Sequence, residues 1–171
     1  MIPRFIIKTI TSNNLIDFFS NEYKPNFDLP KLKDIFDTTI ELCYDNEDEL
    51  STNVIHACFD IEQQRYCGFI NIGTSTIIDD LVSLNVEFLF LEKDYRGKVF
   101  KELDNIKLSR FLLIEYLATK LGVSVKDNFA INMISITPIN EKVRKSYENL
   151  NFVTIDGSGS KKEEDWMICY I

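Results

Sequence analysis

Residues 86–98 read VEFLFLEKDYRGK, and four of them could carry chemistry. Arg96, Gly97 and Lys98 come soon after an apolar run ending in Leu89, Phe90 and Leu91, whose branched and aromatic side chains predict a buried strand. Positive charge and a glycine just beyond a strand suit an anion. Glycine lets a backbone come close, and a helix start offers unpaired N–H groups. Glu87 lies within the strand itself, where a carboxylate among apolar neighbours needs a reason. Three reasons are open: a base that takes a proton directly or through water, a structural partner for a lysine, or a residue facing solvent. Alternation puts it on the face that Val86 and Phe88 do not occupy. His56 is the only histidine and sits in the strand-like NVIHACFDI, which favours packing over catalysis. Cys43, Cys58, Cys67 and Cys169 are far apart and form no CxxC pair, so buried free thiols are expected ahead of disulfides or zinc. Metal-hydrolase and Ser-His-Asp chemistry therefore lack the residues they need.

Periodicity predicts the elements that position these residues. A length of 171 residues predicts one domain, 1–171, long enough to bury a sizeable core. A strand at Phe5–Ile10 is followed by a helix that Thr11, Ser12 or Asn13 can cap. A second helix spans 29–44, with Pro30 in its first turn and an apolar stripe through Leu32, Ile35, Phe36, Ile40 and Cys43. The acidic run DNEDE at 45–49 is read as a solvated loop or as an attractive rim for a cationic amine. Strands at 53–61 and 65–73, a connection at 75–80 and the strand at 86–91 come next. A helix at 109–121 is expected to start at Ser109 and stop at Gly122, with a loop at 123–128. Then come a strand at 130–136, a helix at 141–150, and strands at 151–155 and 165–171. The Gly-, Ser- and Lys-rich 156–164 is read as a mobile connection. The order β-α-α-β-β-β-α-β-α-β-β is α/β. The N-terminus turns polar too quickly for a signal peptide, and no apolar run nears the ~20 residues of a membrane span. A cytoplasmic protein is expected.

Taken with the stretch ITPINEKVRKSYENLNF at 136–152, residues 86–98 resemble the GNAT superfamily of acyl-CoA-dependent N-acetyltransferases. The element order matches that family over nearly the whole chain. The resemblance implies a single mixed, mostly antiparallel sheet of about seven strands flanked by about four helices and splayed between strands four and five. It implies acetyl-CoA as cosubstrate, its pyrophosphate held by a loop patterned Arg/Gln-x-x-Gly-x-Gly/Ala. Arg96, Gly97 and Lys98 open that loop, but Val99 and Lys101 stand where two glycines would follow in an ungapped reading. We prefer a register in which about eight residues within 99–108 are an insertion and Ser109 takes the last small position before the helix. Lys98, Lys101 or Lys107 would then supplement the backbone amides with charge. The backbone of Leu89, Phe90 and Leu91 would bind the pantetheine amides and the thioester carbonyl. Asn140, Tyr147, Glu148 and Phe152 match the family's Asn…Tyr-Glu-Lys-x-Gly-Phe element, with Asn151 in place of its glycine. Asn tolerates the left-handed geometry glycine would supply there. In the family such a tyrosine protonates the departing thiolate; the alternative for Tyr147 is a core aromatic beside Val143 and Leu150. Asn140 would contact the pantetheine arm or cap its helix.

The implied activity is direct attack of an amine on acetyl-CoA within a ternary complex. The expected acceptor is a primary amine of a small molecule or protein, and the acidic balance mildly favours a cationic one. A formal charge of −8 makes nucleic acid an unlikely partner and counts against the aminoacyl-tRNA-acetylating toxins found in this superfamily. No membrane partner is expected, and a homodimer is compatible with the sequence. The altered glycine loop keeps one alternative open, a GNAT-fold ligand-binding or interaction module that no longer catalyses.

Overall fold

Strand β1 (Phe5–Ile10) opens the chain in a computed structural model that describes residues 3–44, 50–76, 81–159 and 165–171. Helix α1 (Ser12–Asp17) continues in wider turns over Phe18–Glu22, and α2 (Pro30–Ile40) ends in a tight turn at Glu41–Cys43. Next come β2 (Val54–Asp60), β3 (Arg65–Thr76) and β4 (Val82–Leu91). A small hairpin of β5 (Val99–Phe100) and β6 (Ile106–Lys107) precedes a helix unbroken from 108 to 129. That helix comprises α3 (Leu108–Arg110), the wide-turned Phe111–Gly122 and α4 (Val123–Phe129). Strand β7 (Met133–Ile136), helix α5 (Glu141–Glu148), and strands β8 (Val153–Thr154) and β9 (Met167–Tyr170) complete the chain. The main sheet has seven strands in the order β1-β2-β3-β4-β7-β9-β8. Strands β4 and β7 run parallel, and β1–β2, β2–β3, β7–β9 and β8–β9 are antiparallel. This is the expected mixed sheet. The parallel pairing spans only Leu84, Asn85 and Val86, so residues 87–91 run on beyond it.

The elements fall into two compact units, Met1–Gly73 with Glu87–Ser109, and Thr74–Val86 with Arg110–Ile171. In the first, alternation along β2 turns Ile55 and Ala57 into a core with Leu15, Phe18, Leu32, Phe69, Phe88 and Phe90. Phe69 meets Phe88 and Phe90 at ring-centroid distances of 5.7 and 5.6 Å, which anchors the second half of β4. Below this core Asp60, fully buried, accepts from Arg4 Nη2 at 2.9 Å, from the Tyr95 hydroxyl at 2.9 Å and from the Glu62 amide at 3.0 Å. Burial alone would raise its pKa. The bonds from Arg4, Tyr95 and the Gln63 amide outweigh that and hold the carboxyl below its ordinary value. His56 is packed, as expected, with Nδ1 3.4 Å from Thr9 Oγ1, and burial pushes its pKa down to about 4. All four cysteines are free thiols.

In the second unit Leu112, Leu113 and Leu117 are fully buried along one side of the long helix. Three features depart from the sequence reading. Residues 123–128 are helical rather than a loop, and the helix stops at Ala130 in a left-handed conformation (φ 56°). Gly122 continues the helix at φ −60°. A Cβ on it would stand 2.8 Å from Ile171 Cγ2, so close approach of the last strand explains this glycine. Strand β4 begins four residues before 86, because Ser83 and Asn85 are buried rather than exposed. The Ser83 and Ser135 hydroxyls lie 2.7 Å apart, and Ser135 Oγ donates to Asn85 Oδ1 at 3.0 Å. Thr11 precedes α1 without a side-chain capping bond. The acidic run at 45–49 and most of the connection at 156–164 lie outside the described residues. Among the described residues no helix is long and apolar enough to cross a membrane.

Removing one partner of a buried, hydrogen-bonded ion pair typically costs about 3–5 kcal/mol. Arg4 also reaches Glu62 and Glu102, so Asp60→Ala is expected near the lower end of that range in urea unfolding. The stability that Asp60 contributes is complete above the ordinary carboxylate pKa and is lost as pH falls through its depressed folded value. The variant's acid unfolding profile should lack that component.

Candidate active site

The first unit brings together eight of the ten candidate residues: Glu87, Leu89, Phe90, Leu91, Arg96, Gly97, Lys98 and Ser109. Strand β4 passes into a tight turn at Lys93–Tyr95, fixed by the Glu92 amide donating to the Cys67 carbonyl at 2.9 Å. Arg96 (φ −67°, ψ 127°) and Gly97 (φ 73°) then have dihedrals suited to the centre of a type II turn. A Cβ at Gly97 would meet nothing, so its backbone conformation, and not crowding, calls for glycine. Arg96 is held on three sides. Its Nε donates to the Leu91 carbonyl at 2.7 Å, its Nη1 lies 2.8 Å from Asp28 Oδ1, and its guanidinium sits 5.4 Å from the Phe90 ring centroid. That contact holds the Asp28 carboxyl below its usual value. Arg96 Nη2 is buried and, among the described residues, has no acceptor.

Lys98 is exposed and, among the described residues, has no ion pair. Val99 pairs with Lys107 and Phe100 with Ile106, so residues 99–107 close on themselves as a hairpin. Its turn uses left-handed Asp104 and Asn105, residue types that tolerate φ of 55° and 61°. Hairpin closure leaves Lys98 and Leu108 flanking the same end. The Arg96-Gly97-Lys98 turn and the helix start thereby adjoin despite the nine intervening residues. The hairpin is anchored on β1: Phe100 lies 5.0 Å from the Phe5 ring and stacks on Tyr95 at 6.0 Å, and Arg4 reaches Glu102 at 3.2 Å. Ser109 stands inside the first helical turn, one residue past the start at Leu108, and does not cap the helix. Glu87 and Leu89 are half-buried, and Phe90 and Leu91 are buried. Burial, countered by the bond to Asn71 and reinforced by the charge of Glu87, pushes the Cys43 thiol up to about 12.

The second unit holds Asn140 and Tyr147 at the two ends of α5. Asn140 Oδ1 accepts from the Val143 amide at 3.0 Å, which caps the helix. At the other end the Asn151 amide donates to the Glu148 carbonyl at 3.0 Å and the Phe152 amide to the Tyr147 carbonyl at 3.1 Å. This is a Schellman motif with Asn151 at φ 67° in the glycine position. Its apolar contact is Phe152 on Tyr147, with ring centroids 5.9 Å apart. Tyr147 is half-buried, and desolvation raises the pKa of its hydroxyl, which makes no hydrogen bond among the described residues.

Sequence reasoning missed Glu92, whose Oε1 accepts from the Tyr23 hydroxyl at 2.8 Å and the Asn26 amide at 3.2 Å. Burial, with the Glu92 charge beside it, raises the Tyr23 pKa. The only local signal is a carboxylate directly after an apolar strand.

No family model and no curated protein matches the sequence. Solved structures match by shape. The KacTA–DNA complex is 12% identical, with 97% of this chain and 92% of that one covered at a TM-score of 0.64. AtaTR bound with AcCoA is 15% identical, covering 99% and 94% at 0.64. AtaT complexed with acetyl-methionyl-tRNAfMet is 13% identical, covering 97% and 94% at 0.62. At these identities the likeness establishes the fold, which is the GNAT fold. The complexes also overturn one expectation: with DNA and a tRNA bound to proteins of this shape, nucleic acid is no longer an unlikely partner. The preference for a small-molecule or protein amine as acceptor falls with it. Net charge averages over a whole chain, whereas phosphate contacts are local. Residues 93–110 carry Lys93, Arg96, Lys98, Lys101, Lys107 and Arg110 against three acids, and Arg65 and Arg4 already engage two of those, Asp94 and Glu102.

The left-handed turn after α5 yields a stability prediction. Asn151→Ala should cost about 1 kcal/mol, because alanine lacks the local hydrogen bonding that offsets a positive φ, whereas Asn151→Gly should be neutral or stabilising. Thermal unfolding of both variants checks it.

Proposed function

We propose that this chain is an acetyl-CoA-dependent N-acetyltransferase whose acceptor is the α-amino group of an aminoacyl-tRNA. The observation that carries this reading is the match, over nearly all of both chains, to complexes holding AcCoA and an acetyl-methionyl-tRNA. An enzyme is supported ahead of an inactive module because the inserted hairpin leaves the turn and the helix start side by side.

The residues fit the cosubstrate. The left-handed turn at Gly97 is open on its Cβ side, the helix start at Leu108 offers unpaired amides, and, among the described residues, Lys98 has no ion pair and Arg96 Nη2 no acceptor. We assign these groups to the pyrophosphate. The pantetheine arm we assign to the backbone of residues 87–91, which runs beyond the β7 pairing. Acetyl-CoA supplies the activated thioester. The amine nitrogen attacks its carbonyl carbon, the C–N bond forms, and the C–S bond breaks with its electron pair leaving on sulfur. Tyr147 gives its proton to that sulfur, and Glu87 takes one from the nitrogen directly or through water. An α-amino group has a pKa of about 7.7–8.0 against about 10.4 for a lysine, so roughly a tenth of it is already neutral near pH 7, against well under a thousandth of a lysine. Asn140, its oxygen committed to the cap, is left with its amide N–H groups for the pantetheine carbonyls. Structures of an AtaT mutant toxin carrying a Tyr→Phe replacement are among the matches, which makes the same change the natural test of Tyr147.

Tyr147→Phe is expected to lower kcat about 100-fold with an aminoacyl-tRNA acceptor, while calorimetry gives an unchanged Kd for acetyl-CoA. Unchanged turnover would make Tyr147 a packing residue. Acetyl-CoA should also raise the melting temperature of the wild-type chain, because a ligand that binds only the native state stabilises it. No shift at millimolar acetyl-CoA would discard the transferase reading.

A further inference from the structure

We propose that the first unit carries a separate cleft for a nucleotide, with Glu92 reading N–H groups of the base and Lys24 and Lys93 meeting its phosphate. The cleft, of roughly 400 Å³, opens beside the end of β4. That volume lies within the range of small-ligand sites. Tyr23, Phe59 and Tyr66 line it with aromatic rings, Tyr66 lying 5.0 Å from Phe59 at 76° and 5.3 Å from Tyr23 at 31°. None of the residues assigned to acetyl transfer lines it, so the site does not rest on that reading.

Glu92 is the buried carboxylate that lines this cleft. It is only 9% exposed, and carboxylates so far out of water are ordinarily paired with a cation. Among the described residues Glu92 has no ion pair. Its Oε1 serves Tyr23 and Asn26, and among the described residues no bond to its Oε2 is seen, which leaves that oxygen for the cleft the residue lines. An ammonium ligand would satisfy the carboxylate but would meet Lys24 and Lys93 in the same cleft, both exposed and, among the described residues, without ion pairs. The two acids on the rim do not offset them: Glu22 is taken by Lys8 at 2.7 Å and Asp94 by Arg65 at 3.1 Å. The complementary ligand therefore presents N–H donors at one end, negative charge at the other and a flat ring between. A nucleotide has that layout. Carboxylates accept from base amino and imino groups, aromatic side chains stack on bases, and lysines attract phosphate. Guanine, with adjacent N–H donors on its pairing edge, fits the open oxygen well.

The test is calorimetric titration of the full chain, without acetyl-CoA, using GMP and a short guanine-bearing single-stranded RNA. Saturable binding is expected, and Glu92→Gln should weaken it about tenfold or more, since it replaces a charged acceptor. RNA binding at least tenfold tighter than GMP would assign the site to a strand, and equal affinity would assign it to a free nucleotide. If neither probe binds, or if the Gln variant binds like wild type, the proposal is overturned. Should Glu92→Gln melt too low to assay, the Lys24→Ala, Lys93→Ala double variant carries the same test, and unchanged affinity there overturns the site equally. No acetyl-CoA enters the readout, so this proposal and the transferase reading fail independently.

Discussion

Strand β4 can serve two ends because its pairing with β7 stops at Val86. Had the parallel ladder continued, the backbone groups of residues 87–91 on the β7 side would be spent on sheet hydrogen bonds, since β4 already pairs with β3 on its other side. Each half of the strand is held by a different force. The first is held by directional bonds, with Ser83, Asn85 and Ser135 linked hydroxyl to amide in a fully buried setting. The second is held by aromatic packing of Phe88 and Phe90 on Phe69, with Phe27 4.8 Å from Phe90.

The same economy governs the charged residues near the strand's end. Arg96 fastens its own turn to Leu91 and to Asp28, leaving Nη2 without an acceptor among the described residues. Asp60 gathers Arg4, Tyr95 and two turn amides, and Tyr95 in turn supports Phe100 of the inserted hairpin. A buried carboxylate thus seats the insertion on β1. The hairpin lengthens the connection from the Arg96-Gly97-Lys98 turn to the helix start without separating them, because its two strands pair and return the chain to where it left.

Much of this was legible in the sequence. Six of the seven sheet strands were expected close to their observed positions, and the α/β order held. β4 was expected too short because Ser83 and Asn85 look like exposed polar residues, and only burial against Ser135 makes them strand. The helix through 123–129 departs from the loop expected at 123–128, because Gly122 resembles a stop. The overall charge of −8 was a poor guide to partners because it hid a basic segment at 93–110.

Local spacing alone determined the Asn140-to-Phe152 block. Cap, helix and left-handed Asn151 interact within a few residues, so the pattern of types dictates the geometry. Tertiary structure decided the roles of Arg96, Glu92 and Gly122. Asp28 lies 68 residues from Arg96, Tyr23 lies 69 residues from Glu92, and the side chain that crowds Gly122 belongs to Ile171. Contacts at such separations depend on how the chain closes its long loops, and no local periodicity encodes that closure.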